Sequence, residues 1–187
     1  MTEPSLRLPD DPDPDFAPRA AARGMEPALT FPSLVKLALA VAVVVAVSVL
    51  GQLGTMRGLA GWYPALVKPG FTPPNWVFPV AWSALFALMA WAFWRVLRLP
   101  AATPGRSTAI ALFASQLVLN VAWSWAFFGF RTPIAGLAVI LALEIAIIAT
   151  IRAFLRLDRP AAMMLWPYAG WVAYASVLNA AIVWLNR

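Results

Sequence analysis

The sequence predicts an all-α fold, an integral membrane bundle of five transmembrane helices. Three observations support this prediction. The chain of 187 residues is 62% hydrophobic and 12% charged, whereas a soluble domain is about 45–50% apolar and about 25% charged. Five windows offer about 20 apolar residues each, the length that a helix needs to cross a bilayer core of about 30 Å. Short connections join the last four windows, which requires antiparallel neighbours.

An acidic, proline-rich segment, residues 1–32, precedes the first window. It holds six of the eight acidic residues and seven of the seventeen prolines. Such a segment buries too little apolar surface to offset its ordering entropy, which predicts a disordered tail. The first span is expected at residues 34–53, and residues 33–187 are expected to form the transmembrane domain.

A long connection, residues 54–76, follows the first span. Its prolines, as in KPGFTPP at residues 68–74, disfavour a helix and preset extended turns, so we expect a rigid loop that can serve as a lid. The remaining spans are expected at residues 77–97, 108–129, 133–156 and 161–185. Pro167 is expected to kink the last helix unless that helix begins later.

The basic residues predict the orientation of the chain. Ten Lys and Arg residues fall on the side that holds the amino terminus and four on the other. Because cytoplasmic loops carry the excess of positive charge, we expect a cytoplasmic amino terminus and a carboxyl terminus on the opposite side. The net charge of +6 comes from single residues between apolar runs, so nucleic acid is not an expected partner.

Several kinds of chemistry are excluded by residue usage. The chain has no histidine and no cysteine, which removes disulfides, thiolate nucleophiles and the commonest haem ligand. We expect no metal site and no resident cofactor, and no nucleophile–base pair or phosphate loop is present. Glu144 is an acid inside an apolar span, which indicates either a proton or ion path or a protonated side chain at a helix interface.

Ten tryptophans require an explanation. Five lie near predicted helix ends, where aromatic belts mark membrane interfaces: Trp62, Trp76, Trp94, Trp166 and Trp184. Three lie deeper and share helix faces with aromatic or polar residues. These faces comprise Phe78, Trp82, Phe86 and Met89, then Gln116, Asn120, Trp123 and Phe127, and finally Trp171, Tyr174, Ala175 and Leu178.

The three faces have two possible roles. They predict either an apolar slot with one polar anchor, suited to a planar ligand, or surfaces on which the helices pack. The buried polar residues leave the same choice open, because Asn120, Ser124 and Asn179 can each bond across helices or bind a ligand.

Three segments resemble the TspO/MBR family of translocator proteins and tryptophan-rich sensory proteins: WYPALVKPGFTPPNWVFPVAW at 62–82, NVAWSWAFFG at 120–129 and PYAGWVAYASVLNAAIVWLN at 167–186. The resemblance implies a five-helix bundle, usually a homodimer, that binds porphyrins, sterols and benzodiazepine-like drugs beneath the first loop. By position it implies a pocket lined by Tyr63, Trp82, Phe86, Asn120, Trp123, Trp171 and Ala175. Phe78, Ser124 and Leu178 complete the set of ligand-binding residues that we predict.

This resemblance leads to a functional hypothesis, a membrane receptor or carrier for tetrapyrroles such as protoporphyrin IX. The macrocycle would lie between Trp82 and Trp171, with Asn120 as its anchor. The lack of histidine favours a metal-free porphyrin. The alternative is a light-dependent porphyrin-degrading enzyme that uses Trp82 and Trp171, and a third class is a purely structural membrane protein.

The sequence departs from the family pattern in three places. Phe71 stands where the family usually has tryptophan, and Glu144 replaces a tryptophan on the fourth helix. Ala180 occupies the tyrosine position of the cholesterol-type pattern, so a sterol is the least supported ligand.

The third helix is expected to carry the homodimer contact. Ala111 and Ser115 form a small-xxx-small pair that allows close approach of two backbones in lipid, although such a pair can also face a neighbour within the bundle. Ser115 and Asn120 are about 140° apart on a helix, so one helix can serve both the dimer and the pocket.

Overall fold

The computed structural model describes residues 24–187, so most of the predicted tail lies outside the described residues. The described part of the chain is built of helices and contains no strand. Five of its helical spans are long and apolar enough to cross a membrane. The predicted fold class is therefore confirmed.

The elements follow one another along the chain with short connections. They are α1 (Phe31–Leu59), α2 (Trp62–Ala65), α3 (Val77–Leu97), α4 (Arg106–Ser124), a π-helical turn (Trp125–Gly129), α5 (Pro133–Leu157), α6 (Arg159–Met163) and α7 (Trp166–Leu185). The membrane spans are α1, α3, α4 with the π-helical turn, α5, and α6 together with α7.

The end of α1 lies six residues beyond the predicted end at residue 53. Glycines in this stretch have low helix propensity, but they allow α1 to pack closely on the π-helical turn. A Cβ atom at Gly58 would lie 2.6 Å from the carbonyl oxygen of Phe128, and one at Gly54 would lie 3.0 Å from the ring of Trp125. Tertiary packing therefore extends the helix past its weak residues.

The connection predicted at residues 54–76 is shorter than expected and is partly helical. Its first six residues belong to α1, and four more residues, Trp62–Ala65, form α2. Pro64 lies in the first turn of α2, where its missing N–H leaves no helical hydrogen bond unmade. The non-helical lid segment is thus residues 66–76.

The last span is two helical segments rather than the single helix predicted at residues 161–185. α6 ends at Met163 and α7 begins at Trp166. Pro167 lies in the first turn of α7, where proline is compatible with helix geometry. It therefore follows a break between two helices instead of kinking one.

Residues 24–30, which the sequence assigned to the tail, fold against the end of α3. The backbone N–H of Glu26 donates to the carbonyl of Arg98 at 3.1 Å. The Nε of Arg98 donates to the carbonyl of Glu26 at 2.9 Å, and Lys36 pairs with the Glu26 carboxylate at 2.7 Å. The predicted boundary at residue 32 is therefore too far along the chain.

Trp94 does not belong to an interfacial belt. Its side chain is buried, its Nε1 donates to the carbonyl of Ser33 at 2.9 Å, and the guanidinium of Arg98 covers its ring at 4.7 Å. It ties the start of α1 to the end of α3. Trp76, Trp166 and Trp184 are all exposed, as a position at the membrane interface requires.

The helices surround an interior that is open on one side. α1 packs against α3, α4 and the π-helical turn, and α5 packs between α4 and α7. A partly buried ion pair of Arg95 with Asp158, with nitrogen–oxygen distances of 2.8 and 3.2 Å, joins α3 to the α5–α6 junction. The backbones of α3 and α7 do not pack closely against each other, and a groove lies between these two helices.

Candidate ligand-binding site

Trp82 is the centre of an aromatic cluster inside the bundle. Its ring centroid lies 5.5 Å from that of Phe86, 6.4 Å from that of Trp123 and 6.2 Å from that of Tyr168. These separations fall within the range of favourable aromatic contacts. Helices α3, α4 and α7 therefore meet at Trp82, one of the three tryptophans that the sequence places away from the helix ends.

The buried amides of this region bond across helices. Nδ2 of Asn120 donates to the hydroxyl of Tyr168 at 2.9 Å. Nε1 of Trp123 donates to Oδ1 of Asn179 at 3.3 Å, and Nδ2 of Asn179 donates to the carbonyl of Pro133 at 2.8 Å. The bond to Tyr168 uses one of the two N–H groups of the Asn120 amide, so the other N–H is the one that can donate to a ligand.

Five of the predicted ligand residues line a small, partly enclosed cavity, which we call the enclosed cavity. The cavity has a volume of about 30 Å³ and is lined by Tyr63, Phe78, Trp123, Phe127, Phe128, Ala175, Leu178, Asn179 and Ile182. That volume accommodates on the order of one or two water molecules. A macrocycle cannot occupy it without movement of the surrounding side chains.

A much larger space lies between α3 and α7. It is an open, apolar groove of about 630 Å³, lined by Pro73, Ala81, Ala84, Leu85, Leu88, Pro167, Gly170, Trp171 and Tyr174. This volume is within the range of about 300–1,000 Å³ that ligand pockets have. Because the groove opens at the outer face of two membrane spans, it opens towards lipid.

Trp171 forms the aromatic wall of this groove. Its ring centroid lies 5.9 Å from that of Phe78 and 5.8 Å from that of Tyr174. No heavy atom lies within 4 Å of a Cβ atom built on Gly170, so the floor beside the indole is free. The groove therefore presents a flat aromatic surface with space next to it.

The lid segment, residues 66–76, is held by two side chains, one on α7 and one just after its carboxyl end. The hydroxyl of Tyr174 donates to the carbonyl of Phe71 at 3.0 Å. The amide of Asn186 forms two hydrogen bonds with the backbone of Val67, accepting from its N–H at 3.0 Å and donating to its carbonyl at 2.9 Å. The lid is thus fixed at two points close to the groove.

Tyr63 joins the lid to the enclosed cavity. Its ring is buried against Phe127 and Phe128, and the ammonium of Lys68 lies 5.0 Å from its centroid. Burial, together with the nearby Tyr174, raises the pKa of the Tyr63 phenol. The phenol therefore remains a neutral hydrogen-bond donor at physiological pH.

The predicted site residues are therefore divided between different places. Trp171 lines the groove, while Trp82, Phe86 and Asn120 lie in the packed interior beside the enclosed cavity. Ser124 lies apart, since its hydroxyl oxygen is 3.4 Å from the position of a Cβ atom on Gly51 of α1.

Sequence reasoning missed most of the groove. On α3 the missed residues are Ala81, Ala84, Leu85 and Leu88. Their spacing of three, one and three residues defines a single helix face, so an apolar stripe without aromatic rings was the available signal. Tyr168, the hydrogen-bond partner of Asn120, was also missed.

The fold and the groove define a polytopic helical membrane protein with a lipid-facing aromatic site. The chain belongs to the TspO/MBR family, whose family profile matches residues 40–185. The tryptophan-rich protein TspO of Chlorobaculum tepidum is 40% identical over 153 residues, which cover 82% of this chain and 97% of that protein. The protein of the same name from Archaeoglobus fulgidus is 39% identical, covering 82% of this chain and 99% of that protein.

More distant relatives include animal proteins. The translocator protein of Homo sapiens is 34% identical over 119 residues, which cover 63% of this chain and 70% of that protein. The predicted family is thus confirmed, and with it the class of membrane translocator and sensory proteins.

Proposed function

We propose that this protein is a membrane receptor or carrier for tetrapyrroles of the protoporphyrin IX type, which bind as flat apolar ligands against Trp171. The observation that carries the proposal is the open groove of about 630 Å³ between α3 and α7. A macrocycle stacked on an indole gains about 0.5–1.5 kcal/mol beyond the burial of its area. Such a ligand dissolves in the bilayer and reaches the groove from lipid.

Phe78 separates the groove from the interior. Its side chain lines the enclosed cavity, and its ring contacts Trp171 on the groove side. Displacement of this ring joins the two spaces and exposes the cluster around Trp82. A macrocycle can then insert between Trp82 and Trp171, with the second N–H of the Asn120 amide as the polar anchor.

A direct test is saturable binding to the full chain in bilayers, followed by quenching of tryptophan fluorescence. Protoporphyrin IX, haem and a sterol are titrated in parallel. We expect saturation with protoporphyrin IX and weaker binding of the sterol. Linear, non-saturable quenching by protoporphyrin IX would refute the proposal and favour a structural membrane protein.

The second candidate function is light-dependent oxidation of the porphyrin. It is favoured by the contact of Trp82 with both Trp123 and Tyr168, because a row of redox-active rings can take an electron from the excited porphyrin and pass it on, with dioxygen as the terminal oxidant. The distinguishing measurement is the amount of product per protein when excess protoporphyrin IX is illuminated in air. More than one turnover supports the enzyme, and binding without product supports the receptor or carrier.

We also propose a homodimer through the outer face of α4. Ala111, Ala114, Ser115 and Val118 are exposed on this face, and the Ser115 hydroxyl is satisfied by the carbonyl of Leu112 at 2.9 Å. The small side chains of Ala111, Ala114 and Ser115 allow the backbone of a second copy to approach closely.

Leucine at both Ala111 and Ser115 is expected to shift the detergent-solubilised protein from dimer to monomer. The larger side chains keep the two backbones apart, while the porphyrin affinity remains within about twofold because the groove is on other helices and Asn120 lies on a different face of α4 from Ser115. Light scattering coupled to size-exclusion chromatography measures the mass. A double variant that remains dimeric would place the contact on another helix.

The proposed orientation has a cytoplasmic amino terminus and a carboxyl terminus on the far side. Its basis is the excess of Lys and Arg at the end of the bundle where α3 and α5 end. A reporter that is active only outside the cytoplasm, fused after Arg187, is expected to be active. Activity of a cytoplasmic reporter at the same position would reverse the topology.

A further inference from the structure

Glu144 is an acidic residue in the middle of a membrane span, and the ligand groove does not use it. It is the twelfth residue of α5, whose span has a mean hydropathy of 2.6. Its Oε2 is buried and has no hydrogen-bond partner among the described residues. A carboxylate at such a depth costs roughly 2.5–3.5 kcal/mol or more, so an acid retained there is a candidate for function.

The register of the helices brings Tyr168 close to the depth of Glu144. Oδ1 of Asn179 lies 3.1 Å from the position of a Cβ atom on Gly136, which fixes the level of α7 against the antiparallel α5. Glu144 is eight residues after Gly136 on α5, and Trp171 is eight residues before Asn179 on α7. Glu144 and Trp171 therefore lie at the same level. Tyr168, three residues before Trp171 on α7, is then about 4.5 Å further along the axis.

Tyr168 has a hydrogen bond left to donate. Its side chain is fully buried, and its hydroxyl accepts from Asn120 at 2.9 Å, so the phenolic proton remains available. Its ring contacts that of Trp82 at 6.2 Å. Tyr168 therefore connects the surroundings of Glu144 to the aromatic cluster of the ligand site.

Gln116 adds a further unpaired group at the same depth. Phe127 packs on Gly136 of α5, the residue that also meets Asn179 of α7. Gln116 is eleven residues before Phe127, and Tyr168 is eleven residues before Asn179. Gln116 and Tyr168 therefore lie at about the same level in the bundle. Gln116 is buried, and both of its amide atoms lack a partner among the described residues. An unpaired buried polar group costs about 1–3 kcal/mol. An ordered water molecule at this level would remove that cost by hydrogen bonding to the Gln116 amide.

We propose that Glu144 is a proton-binding site inside the membrane, coupled to the ligand site through Tyr168 and Trp82. Hydrocarbon favours the neutral carboxylic acid. Loss of the proton creates a charge that attracts the phenolic O–H of Tyr168, and the movement of that ring alters its contact with Trp82. The coupling rests on the proposed ligand site, whereas the proton site itself does not.

Other titratable side chains also lie on α5 and on the elements packed against it. Among the described residues they are Tyr174 on α7, Arg106 at the start of α4, Arg159 at the start of α6, and Arg152 and Arg156 on α5 itself. Tyr174 is about 4.5 Å from the level of Glu144, in the direction opposite to Tyr168, and the arginines are further away. The nearest of the arginines on α5, Arg152, is eight residues or about 12 Å from Glu144 along the axis. Tyr174 is bonded to Phe71.

Infrared spectroscopy of the full chain in bilayers, without any ligand, tests the proton site. We expect a carbonyl band of a protonated carboxylic acid at neutral pH that disappears in Glu144→Gln and remains in Glu26→Gln. Glu26 is a suitable control because it is an acid paired with Lys36 outside the spans. A spectrum that Glu144→Gln leaves unchanged would overturn the site. Glu144→Asp, which keeps a carboxyl group, should retain a shifted band if the glutamine variant folds poorly.

The coupling is tested separately by the pH dependence of tryptophan fluorescence in the same samples. We expect a transition in the wild type that is absent in Glu144→Gln and in Tyr168→Phe, although Tyr168→Phe keeps the infrared band. We also expect the Kd for protoporphyrin IX to change at least threefold across this transition in the wild type only. Persistence of the transition in both variants would overturn the coupling. Failure of porphyrin binding alone would refute the proposed function but leave the infrared result standing.

Discussion

Replacement of Trp171 by alanine is expected to weaken protoporphyrin IX binding by about tenfold or more. The indole is the aromatic wall of the only space above 300 Å³ among the pockets we describe in residues 24–187. Its removal forfeits the stacking energy of about 0.5–1.5 kcal/mol together with the buried area, and about 1.4 kcal/mol corresponds to a factor of ten in Kd. Fluorescence titration in bilayers measures the change.

Trp184→Ala is the matched control for this experiment. Trp184 lies on the same helix and is equally large, but it is 65% exposed and its ring is covered by the guanidinium of Arg187 at 4.0 Å. We expect the Kd of Trp184→Ala for protoporphyrin IX to remain within about twofold of the wild-type value. Equal losses in both variants would mean that the tryptophans support folding or insertion, not a ligand site.

Trp82 and Trp94 are less informative positions. Trp82 contacts rings on α3, α4 and α7, so its removal lowers the stability of the bundle along with any binding. Trp94 is buried and bonded to Ser33, and its loss separates α1 from α3. Large-to-small changes of this kind typically cost about 3–5 kcal/mol in a core.

The spans could be predicted because the thickness of the bilayer fixes their length and composition. The α3 helix has the predicted ends, and α5 ends one residue beyond the predicted position. Helix ends that depend on a partner could not be predicted in this way. The end of α1 depends on how Gly54 and Gly58 meet the π-helical turn, and a hydropathy pattern contains no information about that surface.

The site was predictable only as a set of helix faces. Periodicity places Trp82 and Trp171 on particular helix faces, but it does not say which side chains each ring contacts. Phe78 lines the cavity and contacts Trp171, whereas the neighbours of Trp82 are Phe86, Trp123 and Tyr168. In the same way, the position of Trp94 near a helix end predicts that it lies at the membrane interface. It is buried instead because its Nε1 donates to the carbonyl of Ser33 on another helix.

Gly58→Ala is expected to destabilise the protein by about 1–3 kcal/mol, the usual cost of overpacking. A Cβ atom there would lie 2.6 Å from the carbonyl oxygen of Phe128 and 3.0 Å from its Cα. Both are backbone atoms, so α1 must move away from the π-helical turn. That turn carries Phe127 and Phe128 of the enclosed cavity, and the cavity should change shape as well.

Gly51→Ala on the same helix is the control that separates packing from helix propensity. Its new Cβ atom would make an ordinary contact of 3.4 Å with the hydroxyl of Ser124. Alanine is favoured over glycine in a helix by about 1 kcal/mol, so this variant is expected to match or exceed the wild type. Thermal unfolding in detergent measures both variants under identical conditions. If Gly58→Ala unfolds at the same temperature as Gly51→Ala, α1 does not approach the π-helical turn as closely as the structure indicates.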